Sequence, residues 1–107
     1  MQRQALENGG WFDVDAARWV DEDTYWDGNN HISVATGSQW DHEELYVTRQ
    51  GRFVLHHSSQ WQGSQDEWEE IDARDAAEWL VRNHRDRDDL PPAAAALVAH
   101  AYEDTEV

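Results

Sequence analysis

The sequence predicts a single α+β domain, in which a three- or four-stranded antiparallel meander sheet carries a short N-terminal helix and two C-terminal helices. Three observations favour this class. Two segments of alternating polarity flank a glycine in mid-chain, and apolar residues with helical spacing follow from position 72. A length of 107 residues is enough for one domain and not for two. We expect residues 1–9 to be a flexible N-terminus and residues 10–107 to form the domain.

The first predicted elements are a helix over Val14–Val20 and a strand over His31–Ala35. Asp13 is a favourable N-cap, and the apolar residues that follow it are three and four apart. Three acidic residues after Val20 would place negative charge at the helix C-terminus, so we expect the helix to end there. Residues 26–30 have the composition of a turn, which separates the helix from the strand.

A β-hairpin is predicted from Glu43–Thr48 and Arg52–Ser58. A three-residue loop with Gly51 in the left-handed region would pair Thr48 with Arg52 and gather apolar side chains on one face: Leu45, Val47, Phe53 and Leu55. A two-residue loop would mix the faces, because a slip of one residue reverses every side chain. The other face, with Tyr46, Val54 and His56, would stay open, and a homodimer could cover it.

The last third of the chain predicts two helices. Residues Glu67–Ile71 suit either a fourth strand or a helical turn, because Trp68 and Ile71 are three apart. Asp72 is a strong N-cap for a helix that ends near Asn83. Residues 85–89 are predicted to be a solvated connector. Pro91 and Pro92 then open a final helix over Ala93–Tyr102, where a missing N–H is tolerated.

The chain is strongly acidic, with 23 acidic residues against eight arginines, no lysine and a formal net charge of −15. This charge repels phosphates, so direct nucleic-acid binding and membrane binding are not expected. The dense carboxylates favour adaptation to a salt-rich host; the alternative is a DNA mimic that inhibits a nucleic-acid-handling protein. The N-terminus lacks the pattern of a signal peptide and no segment is typical of a membrane helix, which favours a cytoplasmic protein.

A near-repeat of Ser-Gln-Trp is the most informative motif. It occurs at Ser38–Trp40 and again at Ser59–Trp61, each time just after a predicted strand. Both copies would then lie at one edge of the sheet, with Trp26 nearby. Tryptophan suits a binding surface, because one residue covers much area and keeps an N–H donor. The predicted partner-binding residues are Trp26, Gln39, Trp40, Gln60 and Trp61. For at least one of the two motifs, however, we expect the indole to fold inward and complete the core, because a small core needs large aromatic side chains.

Six histidines raise the question of metal or acid–base chemistry. His56 and His57 are adjacent in a strand, so they point to opposite faces and cannot hold one ion. The predicted register places them opposite Glu44 and Glu43, as cross-strand charge pairs. No cysteine and no metal-ligand or nucleophile motif is present, so we predict no metal, no cofactor and no catalytic residue. The alternative is a small hydrolase or metal-dependent enzyme that uses His31, His42, His56 or His57 with Glu43 or Glu44.

Five short segments between residues 11 and 83 resemble the pattern of a small uncharacterised bacterial family. They are W-D-G-N-N (26–30), A-T-G-S-Q-W (35–40), E-L-Y (44–46), S-Q-W-Q-G (59–63) and A-E-W-L (77–80). The resemblance implies no activity, cofactor or catalytic residue, because none is known for that family. Family members are less acidic and contain lysine, which implies that the charge of this chain reflects the salt regime of its host.

Together these features predict a small, acidic, soluble protein without catalytic activity. We expect it to bind a protein partner through the edge that carries both Ser-Gln-Trp motifs. The DNA mimic and the histidine-dependent enzyme remain the alternatives from other functional classes.

Overall fold

The computed structural model describes residues 1–61, 63, 65–84 and 90–105. In chain order its elements are β1 (Arg3–Ala5), β2 (Trp11–Asp13), β3 (Arg18–Asp21), β4 (Thr24–Trp26), β5 (His31–Ser33), β6 (Asp41–Val47), β7 (Phe53–Ser59), β8 (Glu67–Ile71), α1 (Ala73–Arg82) and α2 (Pro92–Thr105). The main antiparallel sheet has the strand order β3-β6-β7-β8, and β1-β2 and β4-β5 are separate two-stranded hairpins. The predicted α+β class, with antiparallel strands and two C-terminal helices, is therefore confirmed.

The central hairpin has the register that the sequence predicts. Thr48 N donates to Arg52 O at 2.9 Å, and Gly51 adopts a φ of +79°, in the left-handed region that favours glycine. The strand partners Val47 and Phe53 follow directly from this loop. The loop thereby determines which side chains of β6 and β7 face the helices.

The hydrophobic core lies between the main sheet and the two helices. Leu45 from the sheet and Leu80 from α1 are fully buried, and Val98 of α2 is nearly so. The other buried members of this cluster are Val20, Val47, Phe53, Ala76, Trp79 and Ala94. Burial of this apolar area is the main term that holds α1 and α2 against the sheet.

The opposite face of the sheet is covered by the first hairpin of the chain. Phe12 of β2 is only 5% exposed, and its ring lies 5.8 Å from both Tyr46 and Trp68. Residues 1–9, expected to be flexible, contribute β1, and Glu7 N donates to Trp68 O at 3.2 Å. Val54 on this face is buried. The face that the sequence analysis assigned to a possible second subunit is thus covered within one chain.

The prediction of an N-terminal helix over Val14–Val20 is wrong. Val14–Ala16 form a single 3-10 turn, after which the chain extends at Ala17 with φ −89° and ψ 157°. The residues that follow form β3, where Val20 is buried and Trp19 is exposed. A short helical spacing is outweighed here by pairing with β6, because one or two isolated helical turns have little stability of their own.

The single meander is also wrong, because the strand predicted at His31–Ala35 does not join the main sheet. It forms β5, which pairs only with β4 and places Trp26 opposite His31. The carboxylate of Asp27 accepts hydrogen bonds from the backbone N–H groups of Asn29 and Asn30, at 2.8 and 2.7 Å, and closes this turn. The place beside β6 is taken by β3 instead.

The segment that suited either a strand or a helical turn is strand β8. It pairs along β7 from His57 opposite Glu67 to Phe53 opposite Ile71. The predicted connector at 85–89 lies outside the described residues. Within the described part of the chain, neither helix has the length and apolar character needed to cross a membrane.

Helix α1 is fastened at both ends by polar side chains. At its start the Asp72 carboxylate accepts a hydrogen bond from Asp75 N at 2.8 Å, as the sequence predicts. At its end Asn83 is fully buried; its amide donates to Trp79 O at 2.9 Å, and its oxygen accepts from Asp23 N at 3.1 Å. Asn83 therefore ties the end of α1 to the loop between β3 and β4.

Asn83→Ala is expected to lower the free energy of unfolding by about 1–3 kcal/mol, because it removes a fully buried amide and leaves the part-buried Asp23 N–H without this acceptor. Urea unfolding followed by circular dichroism measures the change. Arg82→Ala, at the exposed neighbouring position, is the control and is expected to change stability by less than about 1 kcal/mol. Equal losses in both variants would contradict a fastening role for Asn83.

Candidate protein-interaction site

The two Ser-Gln-Trp motifs meet at one end of the central hairpin. The first motif precedes β6 and the second follows β7, so Gln60 N donates to Trp40 O at 2.9 Å. The rings of Trp40 and Trp61 are 5.3 Å apart between centroids and tilted by 49°. Both indoles are exposed, at 40% and 60% of their surface. The prediction that the two copies share one edge is therefore confirmed. The expectation that at least one indole folds into the core is wrong, because both are exposed.

The serine of each motif holds the tryptophan backbone in place. Ser38 Oγ accepts from Trp40 N at 2.9 Å, and Ser59 Oγ accepts from Trp61 N at 3.2 Å. This serine-to-backbone bond over two residues is a typical turn-forming interaction. The near-repeat thus has a local physical cause, since each copy builds the same turn and presents an indole outward.

The two glutamines of the motifs lie beside the indoles with their amides free of the protein. Gln60 is exposed and Gln39 is half-buried. Within the ranges that the structure describes, neither carboxamide makes a hydrogen bond to the chain. Each therefore adds a free donor and a free acceptor to the edge of the indole pair.

Trp26 is not brought into this indole pair. It lies in the β4-β5 hairpin, and its ring makes an edge contact with His31 at 5.1 Å between centroids. In the turn next to it, backbone N–H donors from Asn30 and Asn29 hold the pKa of the Asp27 carboxyl below its ordinary value. Trp26 is 60% exposed, so it forms a second, separate aromatic position on the surface.

The histidines of the sheet are held in individual carboxylate pairs. His42 Nδ1 lies 2.9 Å from Glu22, and His57 Nδ1 lies 3.5 Å from Glu43. The predicted cross-strand positions of Glu43 and Glu44 opposite His57 and His56 are confirmed. Among the described residues, no group of three or more potential ligands could hold a metal ion.

His56 is the most enclosed of these side chains. Its Nδ1 lies 3.3 Å from Glu44 and its Nε2 lies 2.9 Å from Asp66, so carboxylates face both ring nitrogens. The ring also stacks on Trp68, at 3.7 Å between centroids and 8° between planes. Next to it, burial raises the pKa of the Tyr46 hydroxyl. These contacts join β6, β7 and β8. Both ring nitrogens of His56 therefore already have partners within the protein.

Sequence analysis missed two carboxylates that organise this end of the sheet. Glu22 is only 9% exposed. Its carboxylate accepts a hydrogen bond from the backbone N–H of Glu43 and also contacts His42 Nδ1, and the carboxylate of Asp66 contacts His56 Nε2. They lie 20 and 10 residues from their histidine partners in the chain. The only sequence signal was their acidity, which they share with 21 other residues, so their positions could not be recognised.

Comparison of the chain with protein-family models, with curated proteins and with solved structures finds no match. The resemblance to the bacterial family stays a prediction.

Proposed function

We propose that the protein is a non-catalytic interaction domain that binds a protein partner through Trp40 and Trp61, with Gln39 and Gln60 at their sides. The observation that carries this proposal is the exposed indole pair, 5.3 Å between ring centroids, at the end of the central hairpin. Trp26 provides a second contact if the partner extends to the neighbouring hairpin.

The exposure of these rings favours binding over a structural role. Burial of apolar surface stabilises a fold by about 25 cal/mol for each Å² removed from water. Here two adjacent indoles forgo that gain, although the same chain buries Trp79 almost completely. Clustered exposed aromatics mark interaction surfaces, and tryptophan is enriched among the residues that dominate binding energy.

The backbone beneath the pair reduces the entropic penalty of binding. Both tryptophans follow serine-closed turns, and the turns are joined by the hydrogen bond from Gln60 N to Trp40 O. A partner therefore meets indoles on an ordered support, and less conformational freedom is lost when the complex forms.

Affinity capture from a lysate of the host at native salt tests this proposal. Three baits are compared: the wild type, the double variant Trp40→Ala/Trp61→Ala, and the control Trp19→Ala, which removes another exposed indole. We expect the double variant to lose the captured protein, with affinity reduced about 30-fold or more, and the control to keep it. Retention of the same partner by the double variant would overturn the proposal.

A further inference from the structure

The arginines of the main sheet and its covering hairpin are gathered at one end, where Arg52 also pairs with Glu70. The arginine end is defined by Val47, Phe53 and Ile71, which are strand partners across β6, β7 and β8. All four arginines of residues 1–72 gather there, from three separate stretches of the sequence. Arg18 lies opposite Val47, Arg49 and Arg52 belong to the adjoining turn, and Arg3 lies opposite Asp13, which shares a cavity of about 240 Å³ with Arg49 and Arg52.

The other end carries the indole pair and a surplus of carboxylates. We call it the tryptophan end and define it by Asp41, Ser59 and Glu67, the residues at the near ends of β6, β7 and β8. Four carboxylates of its strands and loops are Asp41, Glu43, Asp66 and Glu67. Within the described part of the chain, Glu43 and Asp66 lie beside His57 and His56, and none of these four carboxylates forms an ion pair with an arginine.

We infer that the partner segment bound by Trp40 and Trp61 is cationic, a stretch rich in arginine or lysine. This inference rests on the proposed function and specifies its ligand. A cationic segment is steered toward the tryptophan end by the surplus of carboxylates, whereas an acidic segment is repelled. Once there, its charged groups can lie over the exposed indole faces, which attract cations through the ring quadrupole.

The chain itself contains an example of the contact that we infer. The guanidinium of Arg3 lies 4.7 Å from the ring centroid of Trp11, on the covering hairpin. Trp11 is 48% exposed, which is comparable to Trp40. No arginine of this chain occupies the faces of the Trp40–Trp61 pair within the described residues. With 40% and 60% of their surface exposed, Trp40 and Trp61 are accessible to a cation from another molecule.

Titration of the whole 15N-labelled protein with synthetic peptides tests the inference. One peptide alternates arginine with glycine, the second replaces arginine by glutamate, and the third replaces it by tyrosine. The indole N–H signals of the seven tryptophans report the site, after assignment by Trp→Phe variants. We expect only the arginine peptide to shift Trp40 and Trp61, with binding about tenfold weaker on raising salt over the range where the circular dichroism spectrum is constant.

A pair of charge-matched variants separates local attraction from the charge of the whole protein. Asp41→Asn/Glu67→Gln removes two charges at the tryptophan end, and Asp15→Asn/Glu78→Gln removes two exposed charges elsewhere. Both proteins have the same net charge. We expect the first variant to bind the arginine peptide at least about threefold more weakly than the second.

Several results would overturn the inference: equal binding by both variants, shifts spread equally over Trp19 and Trp26, or equal binding of the tyrosine peptide. A concentration-dependent oligomer that Trp40→Ala/Trp61→Ala abolishes would also overturn it, since a second copy would then be the occupant. If the arginine peptide does not bind but a partner is captured by the wild type and not by Trp40→Ala/Trp61→Ala, the cationic ligand is refuted and the proposed function still holds. If the double variant captures the same partner as the wild type, both are refuted.

Discussion

Phe12→Ala is expected to lower the free energy of unfolding by about 3–5 kcal/mol, the range seen when a large buried aromatic side chain is truncated. Phe12 is 5% exposed and packs against the rings of both Tyr46 and Trp68 on the face of the sheet away from the helices. The β1-β2 hairpin is too short to be stable alone, so its attachment depends on this contact. Removal of the ring leaves a void and exposes buried Val54.

Urea unfolding measures the loss, and amide hydrogen exchange shows where it arises. Trp11→Ala is the control, because it changes an aromatic residue of the same strand that is 48% exposed. We expect Trp11→Ala to cost less than about 1 kcal/mol and to leave exchange in β1 and β2 slow, whereas Phe12→Ala makes it fast. Similar losses in the two variants would show that the hairpin is not anchored through Phe12.

The central hairpin could be predicted because its signals are local. The three residues Arg49–Gly51 and the alternating polarity on either side are together within one short stretch of sequence. Only one register puts Leu45, Val47, Phe53 and Leu55 on a common face, and the structure has that register. Helix α1 and its N-cap Asp72 could be predicted for the same reason, since the cap and the apolar residues of the helix are adjacent in the chain.

The covering hairpin and strand β3 could not be predicted, because their signals are not local. The partners of residues 1–13 lie on β6 and β8, as in the bond from Asn8 Nδ2 to Glu70 Oε1 across 62 positions. The segment around Val20 has helical spacing when taken alone and becomes a strand only beside β6. Such pairings depend on which sheet edge or face is still uncovered once the central strands have paired. A short stretch of sequence does not contain that information.

The candidate site was predictable in its position and not in its composition. The repeat placed Trp40 and Trp61 on one edge, and its serine turns keep both indoles outside the core. Trp26 was expected nearby, but the Asp27 turn ties it to His31 on a different hairpin. The gathering of arginines at one end of the sheet is a three-dimensional property, since residues 3 and 18 and the turn at 49–52 come together only after folding.

Leu80→Ala is the second change with a large expected effect, about 2–5 kcal/mol less stability. Leu80 is fully buried in α1 and belongs to the cluster that joins the sheet to both helices. The cavity is hard to close, because Leu45 on the sheet and Ala94 on α2 are also fully buried and held by other contacts. The loss should therefore lie toward the upper part of this range.

Val81→Ala provides the matched control for this prediction, because it lies on the next position of α1 and is 38% exposed. Alanine also has a higher helix propensity than valine, so we expect Val81→Ala to change the free energy of unfolding by less than about 0.5–1 kcal/mol. Urea midpoints at constant salt give both values.

Since α1 supports β6 and β7 from behind, Leu80→Ala should also broaden the indole N–H signals of Trp40 and Trp61, whereas Val81→Ala should leave them sharp. Equal stability of the two variants would mean that the helices are not held by the core that contains Leu80.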